Sequence, residues 1–341
     1  RPPRSTLFPY TTLFRSYNRK ALVMLPLAMA VSAAFAADDD YTTLDTSVVS
    51  AAGYAQDTRE APASVSVITE KELATKPVTD LGSAIGDVPG VDISTNKMGA
   101  ADISIRGFGS SYTLILVDGR KQNTSGSMIE NGFDPGRVFM PPVGAIERIE
   151  VIRGPASTVW GSDAVGGVVN VITKKHPDKF TGSISVERTQ FDDDDKYGNR
   201  WGSSAYLAVP IKEDTLSLQL RAKYLSREAS GLKRPGVTGT DNPYATHSPT
   251  EGFTGNIGAR LDLTLNSSND VYIDDDYTRY KGGAMNTSGA GMQTYRWWNK
   301  YNAVVGHRGK YDIGTLDSYI QYNALEQVKT FGSTGMFRKT A

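Results

Sequence analysis

Two patterns of hydrophobic and polar residues succeed one another along this chain. From about residue 60 to residue 175 the pattern is mixed. SVSVIT (64–69) alternates as a strand does, and Thr69 then opens TEKE, a capping-box spacing with Glu72 at the third helical position. A second short helix is predicted over Thr79–Asp87, stopped by Pro89-Gly90. VDIS (91–94) and DISIRG (102–107) read as strands. TLILVDG (113–119) is a continuous apolar run closed by Asp-Gly, which fits a strand covered on both faces and ending in a tight turn. IERIEVIRG (146–154) and GGVVNVIT (166–173) complete a set of short strands, separated by two long polar loops at 95–101 and 120–141. Loops of that size in a compact domain are usually functional or mobile.

After residue 176 helical signals vanish, and segments of about ten residues alternate with period two. In TLSLQLRAKYL (215–225), Leu216, Leu218, Leu220, Ala222 and Tyr224 share one face, opposite Ser217, Gln219, Arg221 and Lys223. FTGNIGARLDLTL (253–265) and TLDSYIQYNA (315–324) repeat the pattern. Short connectors (211–214, 266–270, 311–314) alternate with long ones (191–200, 228–252, 282–300). Apolar-out, polar-in strands with short turns at one end and long loops at the other mark a transmembrane β-barrel. A soluble sandwich with one wet face would not need Arg and Lys in mid-strand opposite leucines. Seven strands are predicted, near 180–190, 200–210, 215–226, 253–265, 271–281, 300–309 and 315–326. A sheet of that size leaves an open edge in lipid, and plugged barrels have about 22 strands. The expectation is therefore a fragment that lacks about two-thirds of its barrel.

Composition narrows the chemistry. Basic and acidic residues balance at 37 each, which gives no argument for a nucleic-acid partner. Cysteine is absent, excluding disulfides and thiolate metal sites. The histidines, His176, His247 and His307, are too far apart in sequence to suggest a metal site. No G-x-G-x-x-G, P-loop or G-x-S-x-G is present, so no reaction is indicated and the chain is not read as an enzyme. Residues 1–16 have no structural logic and are expected to be non-native. Residues 17–36 carry a basic YNRK, an apolar stretch at 21–31 and Ala34-Phe35-Ala36, the layout of a cleaved export signal. A flexible N-terminus is expected over 37–56. It contains LDTSVVSAAGY (44–54), whose Val48 and Val49 favour an extended conformation and beside which no partner strand is legible.

The strings DTSVVSA (45–51), APASVSVIT (61–69), VPGVDIS (88–94), SIRGFGSSYTLILVDGR (104–120) and IERIEVIRGPASTVWGSDAVGGVVNVITKK (146–175) resemble TonB-dependent outer-membrane receptors. Within that superfamily the resemblance is to catecholate-siderophore receptors that also admit colicins. It implies a mixed α/β plug over 57–176 in the lumen of a barrel whose first strands occupy 177–341. It implies an outer-membrane location, lipid around the wall, and TonB, with its inner-membrane energising complex, as partner. The cargo implied is a ferric siderophore, with colicins or phage as opportunistic binders. Asp45, Thr46, Ser47, Val48, Val49, Ser50 and Ala51 fall on the family's TonB box. A porin-perforated outer membrane holds no ion gradient, so uphill import needs work from another protein. An extended segment can receive it by β-augmentation.

The resemblance also implies that Arg106 and Arg153, with Glu147 and Glu150, lock the plug to the barrel; the bland alternative is a solvated strand end. A compact anionic ferric catecholate needs cations and aromatic rings rather than iron ligands, because its iron is already coordinated. Candidates are Lys97, Lys121 and Arg137 on the plug, and Lys233, Arg234, Tyr244, Tyr295, Arg296, Trp297 and Trp298 on outer loops. Each is singly also readable as a solvated charge or a membrane-interface aromatic. Asp192, Asp193, Asp194 and Asp195 offer a weak calcium candidate in an outer loop, where adjacent acids are commonly just solvated. No resident cofactor is implied. Cobalamin and haem remain alternative cargoes; a passive porin is the alternative of another class, though porins carry no large plug.

Overall fold

The computed structural model describes residues 47–48, 56–57, 64–95, 99–122, 139–193, 197–229, 251–285, 293–331 and 336–340. All of them lie in one compact unit, residues 46–341. Two short strands open it. β1 (Ser47–Val48) pairs antiparallel with β2 (Gln56–Asp57), Ser47 against Asp57 and Val48 against Gln56. Ser47 and Val48, the described residues of the 44–54 segment, are therefore not without the partner strand that the sequence failed to show; the pairing is through backbone and has no side-chain signature to read.

The plug is built on a five-stranded sheet in the order β3-β8-β9-β6-β7: β3 (Ser64–Thr69), β8 (Ile146–Arg153), β9 (Gly167–Thr173), β6 (Thr113–Val117) and β7 (Arg120–Lys121). All neighbours are antiparallel except β6 and β9. β9 is buried along its whole length and β6 nearly so, as their unbroken apolar runs require. The Asp-Gly closure of β6 is a tight turn in which Asp118 (φ 50°) and Gly119 (φ 74°) are both left-handed. α1 (Glu70–Ala74) starts at Thr69, whose Oγ accepts from the Glu72 N–H while Glu72 Oε2 accepts from the Thr69 N–H at 2.7 Å. α2 (Leu81–Ile85) is shorter than the predicted span because Asp80 takes the cap, its carboxylate accepting from the Ser83 N–H at 2.7 Å. Both helices pack Leu73, Leu81 and Ile85 into one cluster with Ile146, Ile149 and Val169. A separate hairpin pairs β4 (Val91–Thr95) with β5 (Ala101–Ile105).

The second part is a single antiparallel sheet in strict chain order: β10 (Thr181–Thr189), β11 (Arg200–Lys212), β12 (Leu216–Arg227), β13 (Gly252–Asn266), β14 (Asn269–Met285), β15 (Gln293–Tyr311), β16 (Gly314–Phe331) and β17 (Met336–Thr340). The seven expected strands are all present, and β17 adds a short eighth pairing against β16. β14 and β15 run further than expected, so the long connector anticipated at 282–300 narrows to residues 286–292. Period two is visible in the burial. Gln219, Arg221 and Arg260 are covered on the plug side, while Leu220, Ile257, Val305 and Ile320 stand exposed on the outer face. The outer face is broken once in mid-band, where Asp275 stands between Ala259 and Ala303.

Candidate functional site: the seam between plug and wall

The β6–β7 turn carries the densest chemistry. Asp118 accepts from the Thr173 N–H at 2.9 Å and from its hydroxyl at 2.7 Å, with Lys175 at 3.7 Å and Arg120 at 3.4 Å. Burial alone would raise the Asp118 carboxyl; Lys175, Arg120, the Thr173 N–H and Arg260 together outweigh it and hold it well below the usual carboxylate range. Burial pushes the Lys175 ammonium down from its ordinary value, against the opposing pull of Asp118.

From this turn Arg120 crosses to the wall, donating to Asp274 on β14 at 3.1 Å. Asp274 also accepts from Arg260 at 3.2 Å and from Arg221, whose guanidinium holds Asp276 as well. Arg260 in turn forks onto Asp262 at 2.8–3.1 Å. The side chains of Arg120, Arg221, Arg260, Asp262 and Asp274 are each at most 4% exposed. Removing one member of such a network strands its partners at a cost of about 3–5 kcal/mol.

Other links flank this knot. Lys300 donates to the Gln122 side chain and lies 4.8 Å over the Phe139 ring. Lys223 donates to the Thr79 carbonyl at 2.8 Å, and Arg227 to the Gly99 carbonyl at 2.7 Å. Glycine is favoured at 99 by its left-handed backbone (φ 77°), and the absence of a Cβ leaves the Arg227 guanidinium room to lie against it. At the plug's exit Lys174 reaches Glu70 at 2.6 Å and lies 5.5 Å over Tyr206, while His176 lies 3.6 Å from Asp270.

The sequence candidates distribute unevenly over this geometry. Arg153 donates to the Pro89 carbonyl and to Ser66, and Arg148 holds both Glu147 and Glu150, so these contacts run inside the plug. Arg106 is exposed at a left-handed turn position (φ 51°). The described plug–wall links involve Arg120, Gln122, Lys174, His176, Lys223, Arg227 and Lys300, none of them a locking candidate from the sequence. For Lys223, Arg227 and Lys300 the signal was available only as charge on the inward face of each strand. Lys121 is half exposed and 3.6 Å from Asp163. The YRWW cluster is not on a loop: it lies in β15, whose alternation turns Trp297 outward and Trp298 inward, fully buried against Tyr280, Ala100 and Phe139. Arg296 is half-buried on the inward face, and the backbone of Tyr295 pairs with Gly283 on one side and Thr330 on the other. Lys97, Arg137, Lys233, Arg234, Tyr244, Asp194 and Asp195 lie outside the described residues, as do Asp45, Thr46, Val49, Ser50 and Ala51. Asp192 and Asp193 are described, and no group of three or more His, Asp or Glu side chains among the described residues is arranged to hold a metal.

A mixed plug bonded to the inner face of an amphipathic antiparallel wall is the geometry that comparison with known proteins now places. Residues 57–168 match the TonB-dependent Receptor Plug Domain family. The chain carries the plug and barrel strands of a TonB-dependent outer-membrane receptor. It is 35% identical over 307 residues to the iron-regulated outer membrane virulence protein of Vibrio cholerae, covering 87% of this chain and 44% of that protein. It is 30% identical to the ferric enterobactin receptor PirA of Pseudomonas aeruginosa, covering 79% and 39%. Among solved structures, the ferric enterobactin receptor PfeA of P. aeruginosa superposes with a TM-score of 0.67 at 26% identity, over 83% of this chain and 45% of that one. The siderophore receptor PirA of Acinetobacter baumannii gives 0.67 at 25% identity, over 81% and 43%. The chain thus spans less than half the length of these relatives.

Proposed function

We propose that the receptor containing this chain imports a ferric siderophore of the catecholate type across the outer membrane, driven by TonB. The observation that carries the reading is the seam. A plug bonded to its wall through a buried arginine–aspartate network is closed at rest, and opening it costs more than thermal motion supplies. Work must therefore arrive from outside the barrel, and β1 is placed to receive it. Its described pairing to β2 is Ser47 with Asp57 and Val48 with Gln56, a ladder that a partner strand can replace. Cargo binding at the outer end biases the plug, the 45–51 segment is released toward the periplasm, TonB pairs with it and pulls, and the plug yields. The cargo class is supported by the names of the relatives, several of which are ferric enterobactin receptors. Arg106 and Arg153 keep their proposed locking role toward wall strands other than those described here.

Two experiments test this. Expression of the full-length receptor in a strain lacking siderophore uptake, grown under iron limitation with a panel of purified cargoes, is expected to restore growth on a ferric catecholate. Rescue by cobalamin or haem alone would replace the cargo assignment. Val48→Pro removes a backbone donor from the extended segment; it is expected to leave cargo binding intact and abolish uptake, and undiminished uptake would refute the coupling role.

A further inference from the structure

The short turns after β11, β13 and β15 fix the periplasmic end of the wall, so the opposite end faces the outer leaflet. At that end the outward face carries an aromatic ladder. Trp201, Tyr224, Phe253 and Trp297 follow one another across β11, β12, β13 and β15 with ring centroids 5.3, 5.7 and 5.5 Å apart. Two cations of β14 lie on its last ring. The Arg279 guanidinium is 4.5 Å and the Lys281 ammonium 5.5 Å from the Trp297 centroid. Lys281 is held 3.1 Å from Glu251, whereas Arg279 is exposed and no described carboxylate pairs with it. Just toward the periplasm from Arg279 the outer face dips into a groove of about 520 Å³, floored by Ala205, Ala222 and Gly255 and walled by Ile184, Ile257 and Tyr277.

Height decides what meets these groups. Arg279 lies about 27 Å along the strand from Val271, the first apolar outward residue of β14. With the usual barrel tilt that is about 20 Å of elevation, near the upper border of an apolar band about 25 Å tall. Arg279 therefore stands where lipid phosphates lie, and the groove lies where acyl chains lie. A guanidinium stacked on indole keeps its charge and its fork of donors, which suits a phosphate better than a point charge does.

We propose that this rim binds the phosphate of an anionic outer-leaflet glycolipid. Arg279 takes the phosphate with Lys281 beside it, and one acyl chain lies in the groove. The proposal rests on the wall facing lipid and is independent of the cargo.

The test uses the delipidated full-length receptor in detergent, titrated with phosphorylated lipid A or its dephosphorylated form and read by native mass spectrometry. Wild type is expected to prefer the phosphorylated form. The pair Arg279→Gln and Lys281→Gln should weaken that form about 25-fold, about fivefold for each cation lost, and leave the dephosphorylated form unchanged. Arg279→Lys, which keeps the charge, should keep binding within about twofold, and Ala222→Phe, which fills the groove without touching charge, should weaken both lipid forms. Retained cargo affinity in each variant reports an intact fold. Equal binding of the two lipid forms, an unaffected double variant, or full displacement of the lipid by inorganic phosphate alone would overturn the assignment; in each case siderophore uptake would still stand as its own question.

Discussion

Asp118 is a carboxylate with almost no exposed surface, kept charged by its partners, and its pH behaviour follows from that. Its folded-state pKa lies below the ordinary value. The stability it contributes is therefore complete above the unfolded value of about 3.9, and it is lost as pH falls below that value toward the depressed one. Asp118→Asn keeps the side-chain shape but leaves Lys175 without its counter-charge and removes one of the two carboxylates that Arg120 holds, Asp274 remaining. The expected cost is about 2–4 kcal/mol at pH 7. That difference from wild type should stay flat between pH 8 and pH 5 and shrink below about pH 4. Denaturant unfolding of the receptor across that range measures it, and a difference that changed between pH 8 and pH 5 would contradict the assignment. At this scale the sequence was half legible. Asp118-Gly119 announces its turn by residue type alone. Arg120 gives no such sign, because its partner Asp274 is 154 positions away and only the fold brings them together.

Along a strand, neighbouring residues of similar chemistry can have opposite fates, and β15 makes the contrast inside one dipeptide. Trp298 is fully buried at the seam, 5.5 Å from the Tyr280 ring, whereas Trp297 lies in the outward ladder, 5.5 Å from Phe253. Trp298→Ala opens a cavity between wall and plug and is expected to cost about 3–5 kcal/mol. Trp297→Ala forfeits one edge-to-face contact and the two cation–π contacts of Arg279 and Lys281, about 2 kcal/mol in all. Unfolding midpoints of the two variants refolded in vesicles should rank in that order; the reverse order would mean the register of β15 is shifted by one residue. The strands themselves were legible from alternation, and α1 from its capping box. The ends of β14 and β15 were not. Gly282-Gly283 and the polar residues beyond read as loop, yet the two strands go on exchanging backbone hydrogen bonds past that point, and a ladder needs no hydrophobic pattern to continue.

For the molecule as a whole, the order of strands decides where a pull is felt. Force applied at β1 travels through the chain to β3, which is an edge of the plug sheet and has one ladder, to β8. The opposite edge, β6–β7, is the one tied to the wall through Arg120 and Gln122. A load from the N-terminus therefore peels β3 away while the far edge stays anchored, and the plug is expected to yield in part rather than leave as a body. The absence of cysteine makes this testable with engineered bridges. Val65 and Ile152 are ladder partners, within the Cα separation a disulfide spans, so Val65→Cys with Ile152→Cys clamps β3 to β8. Gly144→Cys with Ser183→Cys clamps the plug to β10, where a Cβ at 144 would lie 3.0 Å from that of Ser183 and must move out by about half an ångström or a little more to reach disulfide range. In the oxidised state the first bridge is expected to stop uptake and the second to permit it, with cargo binding unchanged in both and uptake through the first restored by reduction. If both bridges stop uptake, the plug moves as one piece and the edge-peeling argument is wrong. If neither does, the load does not pass through β3 at all.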